Sequence, residues 1–135
     1  MRKSEIVHRG SCLCGGVRYE LGAPIESFIY CHCQQCRKAQ GGAFASNAPV
    51  PESQFRLVAG RELLNEYESS LGKKRVFCRR CGSPIFSKHE KKPGVVRLRL
   101  GLLDEAVPEA KPAGHFWVSS KADWHEITDN LPQKS

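Results

Sequence analysis

No run of apolar residues in this chain approaches the ~20 that a membrane-spanning helix needs, so no such span is expected. The first eight residues, Met1-Arg2-Lys3-Ser4-Glu5-Ile6-Val7-His8, hold no apolar h-region, so this end does not read as a secretory signal. A cytoplasmic protein is the expectation. Acidic residues are in deficit: 14 Asp and Glu stand against 21 Lys and Arg, for a net charge of +7. Such a surface favours anionic partners, whether nucleic acid, an acidic protein face or a small anionic metabolite, or serves solubility alone. Basic residues cluster at Lys73-Lys74-Arg75, Arg79-Arg80 and Lys88 to Lys92, but aromatics are not interleaved there. Stacking platforms are therefore missing, and nucleic acid is not an expected partner. An even cysteine count is also missing: seven thiols cannot all pair. In a reducing compartment disulfides are disfavoured in any case, which leaves metal as the better explanation.

What is present fits one domain. A length of 135 residues with 40% apolar content is enough for a real core and too apolar for general disorder. Gly and Pro recur at short intervals, and no segment keeps helical periodicity for long. The expected fold is mainly β, a single small domain with short connections and very little helix. Candidate strands are Ile6 to His8, Val17 to Leu21, Ser27 to Cys31, Ala43 to Val50, Phe55 to Ala59 and Leu63 to Tyr67. Others are Lys74 to Cys78, Ile85 to Ser87, Val95 to Leu100 and His115 to Val118. Arg37 to Gln40 reads as a helical turn or two stopped by Gly41-Gly42, and Lys121 to Trp124 as a single turn. Leu102 to Lys111 reads as an acidic, Pro-broken loop, and Asn130 to Ser135 as a frayed tail. The domain is expected to span residues 8–132, with tails at 1–7 and 133–135. The tyrosines Tyr19, Tyr30 and Tyr67 read as packing residues with surface hydroxyls, and Trp117 and Trp124 as core or rim.

The cysteines divide into a set of four and a set of three. Cys78-x-x-Cys81-Gly82 has zinc-knuckle spacing, and Cys12-x-Cys14-Gly15-Gly16 is tight enough to supply the other half. Cys12, Cys14, Cys78 and Cys81 thus make a complete tetrahedral set for a structural zinc. A metal joining Cys14 to Cys78 closes a loop of roughly 60 residues and removes freedom from the unfolded chain. Cys31-His32-Cys33-Gln34-Gln35-Cys36 is different. In extended chain alternate side chains face opposite ways, so Cys31 and Cys33 point together and His32 points away. Cys36 returns on the next turn to join them. Three protein ligands with an open fourth position is how catalytic zinc is built. The alternative is that His8, His89, His115, His125 or a carboxylate closes the set. His32 is expected to make a hydrogen bond near the site, and Arg37, Lys38, Arg79 and Arg80 are candidate cations beside the thiolates.

Three motifs carry a family resemblance. They are Gly10-x-Cys12-x-Cys14-Gly15-x-Val17-x-Tyr19, then Cys31-His32-Cys33-x-x-Cys36-Arg37-Lys38, then Phe77-Cys78-x-x-Cys81-Gly82-Ser83-Pro84. With the ending His115-Phe116-x-Val118 and Lys121-Ala122-x-Trp124, they resemble the glutathione-dependent formaldehyde-activating enzyme family, which also contains the centromere protein V proteins. The resemblance implies a fold of several coiled antiparallel β-sheets with zinc knuckles, and two zinc ions per chain, a structural one on Cys12, Cys14, Cys78 and Cys81 and a catalytic one on Cys31, Cys33 and Cys36. It implies a carbon–sulfur lyase acting on a thiol such as glutathione and an aldehyde, forming or cleaving S-hydroxymethylglutathione or a related adduct. The glutathione-contacting residues are not written in any of these motifs. The competing reading is a non-catalytic, zinc-stabilised binding module that carries glutathione or docks on an acidic partner.

Overall fold

Among the described residues, ten short strands and one seven-residue helix follow one another, in a computed structural model that describes residues 6–135. Met1 to Glu5, most of the expected N-terminal tail and of the segment read for a signal, lie outside the described residues. The strands are β1 (His8–Ser11), β2 (Arg18–Leu21), β3 (Ser27–Cys31), β4 (Ala45–Pro51) and β5 (Phe55–Ala59). They continue as β6 (Leu64–Ser70), β7 (Lys73–Cys78), β8 (Pro84–His89), β9 (Val95–Arg99) and β10 (Lys111–Phe116). The helix α1 (Gln34–Gln40) lies between β3 and β4 and ends at Gly41, whose φ of 69° is the left-handed cap. The mainly β, single-domain expectation therefore holds.

Two sheets form. β1, β2 and β5 make a small antiparallel sheet. The larger sheet runs β10-β3-β4-β9-β8-β7-β6. It is antiparallel except at one edge, where β10 lies parallel to β3, so the sheet is mixed rather than wholly antiparallel. Alternation along its strands gives two faces of different chemistry. One face carries Phe28, Ala48, Val50, Ile85, Val96 and Leu98, which pack with Val17, Tyr19 and Leu21 of the small sheet in the main core. A fully buried Leu98 or Ile85 each contributes about 1.5–3 kcal/mol through apolar burial. In β3, β4 and β9, the opposite face carries Cys31, Asn47 and Arg99, in register with one another or with a shared neighbour. Ser87 and Arg75 continue that face through Arg97. Helix α1 covers it, because Gln40 accepts from Arg99 (3.2 Å) and Gln35 from Arg75 (3.5 Å).

Several local expectations shift. The first strand starts at His8 rather than Ile6, and α1 begins three residues earlier than expected because Cys33 caps it. Lys121 to Trp124 forms no helical turn; the 3-10 turn lies just before it, at Val118–Ser120. Asn130 to Ser135 is not frayed throughout: His115 N–H donates to the Pro132 carbonyl, and Lys134 N–H to the His115 carbonyl, both at 2.8 Å. The tail supplies the partners that the outer edge of β10 needs. The loop after β9 is loop as expected, pinned to β1 by Ser11–Asp104 (2.6 Å) and His8–Glu109 (2.6 Å) side-chain hydrogen bonds. Tyr19 departs from its expected role, since its hydroxyl is buried without a partner; Trp117 and Trp124 are exposed at the rim.

Candidate metal centres and the buried groups around them

The four-cysteine group is built from two tight turns. In the first, Gly15 takes a φ of 77° and its N–H donates to the Cys12 carbonyl at 2.9 Å. In the second, Gly82 takes a φ of 81° and donates to the Cys78 carbonyl at 2.7 Å. Both conformations are costly for a residue with a Cβ. The turns aim their thiols at one point: Cys12 and Cys14 sulfurs are 3.5 Å apart, Cys14 and Cys78 sulfurs 3.9 Å, and all four lie within 4.8 Å of one another. The surroundings favour the thiolate at Cys14 and Cys81. Backbone hydrogen bonding from Gly16, then Arg80 at 3.3 Å, holds the Cys14 thiol below its ordinary range. Burial pushes the Cys81 thiol up, but hydrogen bonds from the Ser83 side chain and backbone outweigh it and bring it down to about 5. Burial raises the Cys78 thiol. Arg80 thus takes its expected place beside the thiols, whereas Arg79 donates to the Glu62 carbonyl instead (2.9 Å).

The three-cysteine group sits on the polar face of the large sheet. Cys31 ends β3 facing into that side, and Cys33 follows as the N-cap of α1, its sulfur accepting from the Cys36 N–H at 3.3 Å. The helix turn brings Cys36 back, fully buried, so that all three sulfurs lie within 4.8 Å. Among the described residues, no histidine or carboxylate joins the group. Hydrogen bonds from Cys31 and Cys33, then the positive charge of Arg75 and Lys73, hold the Cys36 thiol far below its ordinary value despite burial. The same hydrogen bonding, from the side of Cys33 and Cys36, pushes Cys31 up. Arg37 and Lys38, the cations expected here, make no recorded contact with the sulfurs. The nearby cation is Arg75, whose guanidinium nitrogens lie 3.9 Å from the Cys36 sulfur.

His32 turns away from the sulfurs, as the strand alternation requires, and reaches a hydrogen-bonded chain. Its Nε2 lies 2.8 Å from His115 Nδ1, and His115 Nε2 lies 3.0 Å from Asp129. A carboxylate only accepts, so His115 donates from Nε2 to Asp129. Burial first, then the neighbouring His115 and His125, hold His32 down to about 4. His32 Nδ1 is buried without a hydrogen-bond partner. His115 thus serves this chain and not the cysteines. Sequence reasoning missed Asp129 altogether; it lies in the stretch between Trp124 and the tail, which has no periodicity to mark it.

A small mainly β protein with one complete and one three-membered cysteine cluster, each able to hold a metal ion, is the class defined by fold and site. The family model for glutathione-dependent formaldehyde-activating enzyme matches residues 7–120, and the chain belongs to that family. It is similar to a Halomonas elongata protein provisionally named a glutathione-dependent formaldehyde-activating enzyme, at 31% identity over 87% of this chain and 79% of that one. An uncharacterized lyase of Schizosaccharomyces pombe is 25% identical over 58% of this chain and 56% of its own. A crystal structure of a Rhodobacter sphaeroides protein superposes with a TM-score of 0.62 at 28% identity, covering 74% of this chain and 91% of that one. Among the described residues, no helix is long and apolar enough to cross a membrane.

Proposed function

We propose that the protein is a zinc-dependent carbon–sulfur lyase that forms and cleaves S-hydroxymethylglutathione or a closely related thiol–aldehyde adduct. The observation that carries this reading is the three-thiol cluster with, among the described residues, no fourth protein donor, in a chain whose other four cysteines form a closed set. Both clusters fit zinc by the chemistry of their donors, since thiolates suit it and the sulfur spacing allows one ion in each. Zinc held by Cys31, Cys33 and Cys36 would supply a fourth coordination position that stabilises an incoming thiol as thiolate near neutral pH. Cys12, Cys14, Cys78 and Cys81 would hold a second zinc whose role is structural.

The reaction balances simply. The thiolate sulfur adds to the aldehyde carbon, the carbonyl π electrons move to oxygen, and that oxygen takes up a proton equivalent to the one the thiol gave up. The reverse sequence cleaves the carbon–sulfur bond. Cys31, Cys33 and Cys36 orient the thiol. The positive net charge favours approach of glutathione, which is anionic overall.

Thiol addition to formaldehyde is fast without a catalyst, so the decisive measurement is magnetisation-exchange NMR on glutathione and formaldehyde. The zinc-loaded protein should raise the exchange rate above background, and Cys36→Ser should abolish the increase. Saturable glutathione binding with no acceleration would replace this reading with that of a thiol carrier.

A further inference from the structure

Two guanidinium groups are buried on the sheet face behind the three-cysteine group: Arg75 is 9% exposed and Arg99 is 3% exposed. Burying such charges is costly unless an anion compensates. Among the described residues, neither has a carboxylate within 4.0 Å. Arg99 is held by neutral acceptors alone, the Gln40 side chain at 3.2 Å, the Arg97 carbonyl at 2.9 Å and Ser87 Oγ at 3.2 Å. Arg75 is held by Ser69 Oγ at 2.9 Å and Gln35 at 3.5 Å, and both its terminal nitrogens face the Cys36 sulfur. Half-buried Lys73 adds a third positive group, as the field of the three cysteines acts on it too. Among the described residues, the negative charge nearest these guanidiniums is that of the cysteine sulfurs, with Cys36 3.9 Å from Arg75.

The balance does not close on its own. Three thiolates with one divalent zinc carry a single net negative charge. Two buried guanidiniums carry two positive ones, leaving an excess of one before Lys73 is counted. A neutral fourth ligand leaves that excess in place, whereas an anionic one cancels it. Both arginines also line a cavity of about 180 Å³ walled by Tyr67, Phe77 and Phe86. We propose that Arg75 and Arg99 are positioning residues that make the three-cysteine centre select an anionic fourth partner, a thiolate, over any neutral one. This rests on the reading that the centre admits an outside ligand, and it names the charge that ligand must carry.

Cobalt-loaded protein tests the selection without an activity assay, because a new ligand changes the visible absorption of the open centre. In the wild-type protein, 2-mercaptoethanol and azide should bind about tenfold or more tightly than imidazole, a neutral donor. Arg75→Gln should weaken the two anionic ligands about tenfold, leave imidazole unchanged and keep both metals; Arg75→Lys should recover most of the loss. Imidazole binding as tightly as azide to the wild type would overturn the proposal even if Arg75→Gln fails to fold. So would an unchanged preference in a folded Arg75→Gln. Those outcomes leave the open position intact. Entry of no ligand at all into the wild-type centre would overturn both this proposal and the lyase reading.

Discussion

At the residue scale, the cysteines were legible because metal chemistry constrains spacing tightly, and the groups around them were not. Cys31 and Cys33 facing one way and His32 the other follow from strand alternation alone. Arg75 and Arg99 escaped because each looks like a surface residue of an alternating strand. Lys73-Lys74-Arg75 reads as a basic patch, and Val96-Arg97-Leu98-Arg99 reads as one buried and one solvated face. Covering the second face with α1 turned the polar positions inward. Asp129 supports a residue-scale prediction. The hydrogen bond from His115 holds its carboxyl below the ordinary carboxylate value. A depressed carboxyl stabilises the fold above its unfolded value, near pH 4, and that contribution fades as the pH falls through the folded value. Asp129 is 45% exposed, so the contribution is discounted for solvent. Asp129→Asn should lower stability at pH 7, in chemical denaturation, with the difference shrinking toward zero as the pH falls below about 4. An equal difference at both pH values would assign the effect to packing rather than charge.

At the element scale, most strand positions were readable from alternation and from Gly and Pro, but the last strand, expected at His115 to Val118, lies at Lys111–Phe116, and pairing was not readable. Nothing in Lys111 to Phe116 shows that this last strand lies parallel to β3. Nor does Asn130 to Ser135 reveal that it will satisfy the outer edge of β10, because edge pairing depends on which backbone groups the rest of the fold leaves free. The turns give a sharper test. Gly82 and Gly60 both have left-handed backbones, with φ of 81° and 90°. A Cβ on Gly82 would meet nothing within 4 Å, while one on Gly60 would lie 2.4 Å from the Gly16 carbonyl oxygen and 2.7 Å from Val17 Cα. Gly82→Ala should therefore cost about 1 kcal/mol of conformational strain. Gly60→Ala should cost about 3 kcal/mol or more, because backbone beside the first cysteine turn must move. Thermal unfolding of the two variants compares them directly, and equal losses would refute the steric account. Gly60→Ala should also release zinc at a lower chelator concentration than Gly82→Ala.

At the scale of the whole molecule, under the proposed reading the two cysteine groups divide the labour between holding and binding. The four-cysteine group brings together residues 64 positions apart, Cys14 and Cys78, so a metal held there would restrain the unfolded chain across half its length. Cys81→Ser should leave the protein unfolded or insoluble, since structural zinc contributes on the order of 10 kcal/mol in small domains. Cys36→Ser should instead keep the far-ultraviolet circular dichroism of the wild type while metal content falls from about two zinc per chain to one. A folded Cys81→Ser protein, or a collapsed Cys36→Ser protein, would reverse the assignment of roles. The parallel edge formed by β10 carries a further consequence, for the order in which the molecule is made. Synthesis delivers the chain from its N-terminus, and domains consolidate as their parts emerge. All four cysteines of the larger group have left the ribosome once Cys81 is out, while β10 and the tail that pairs with it are still to come. That group can therefore assemble early on a nascent chain. The flank of β3 that leads into Cys31, and the His32–His115–Asp129 chain behind it, wait for β10 and for residues 129–134, so the surroundings of the three-cysteine group are completed later than the four-cysteine group.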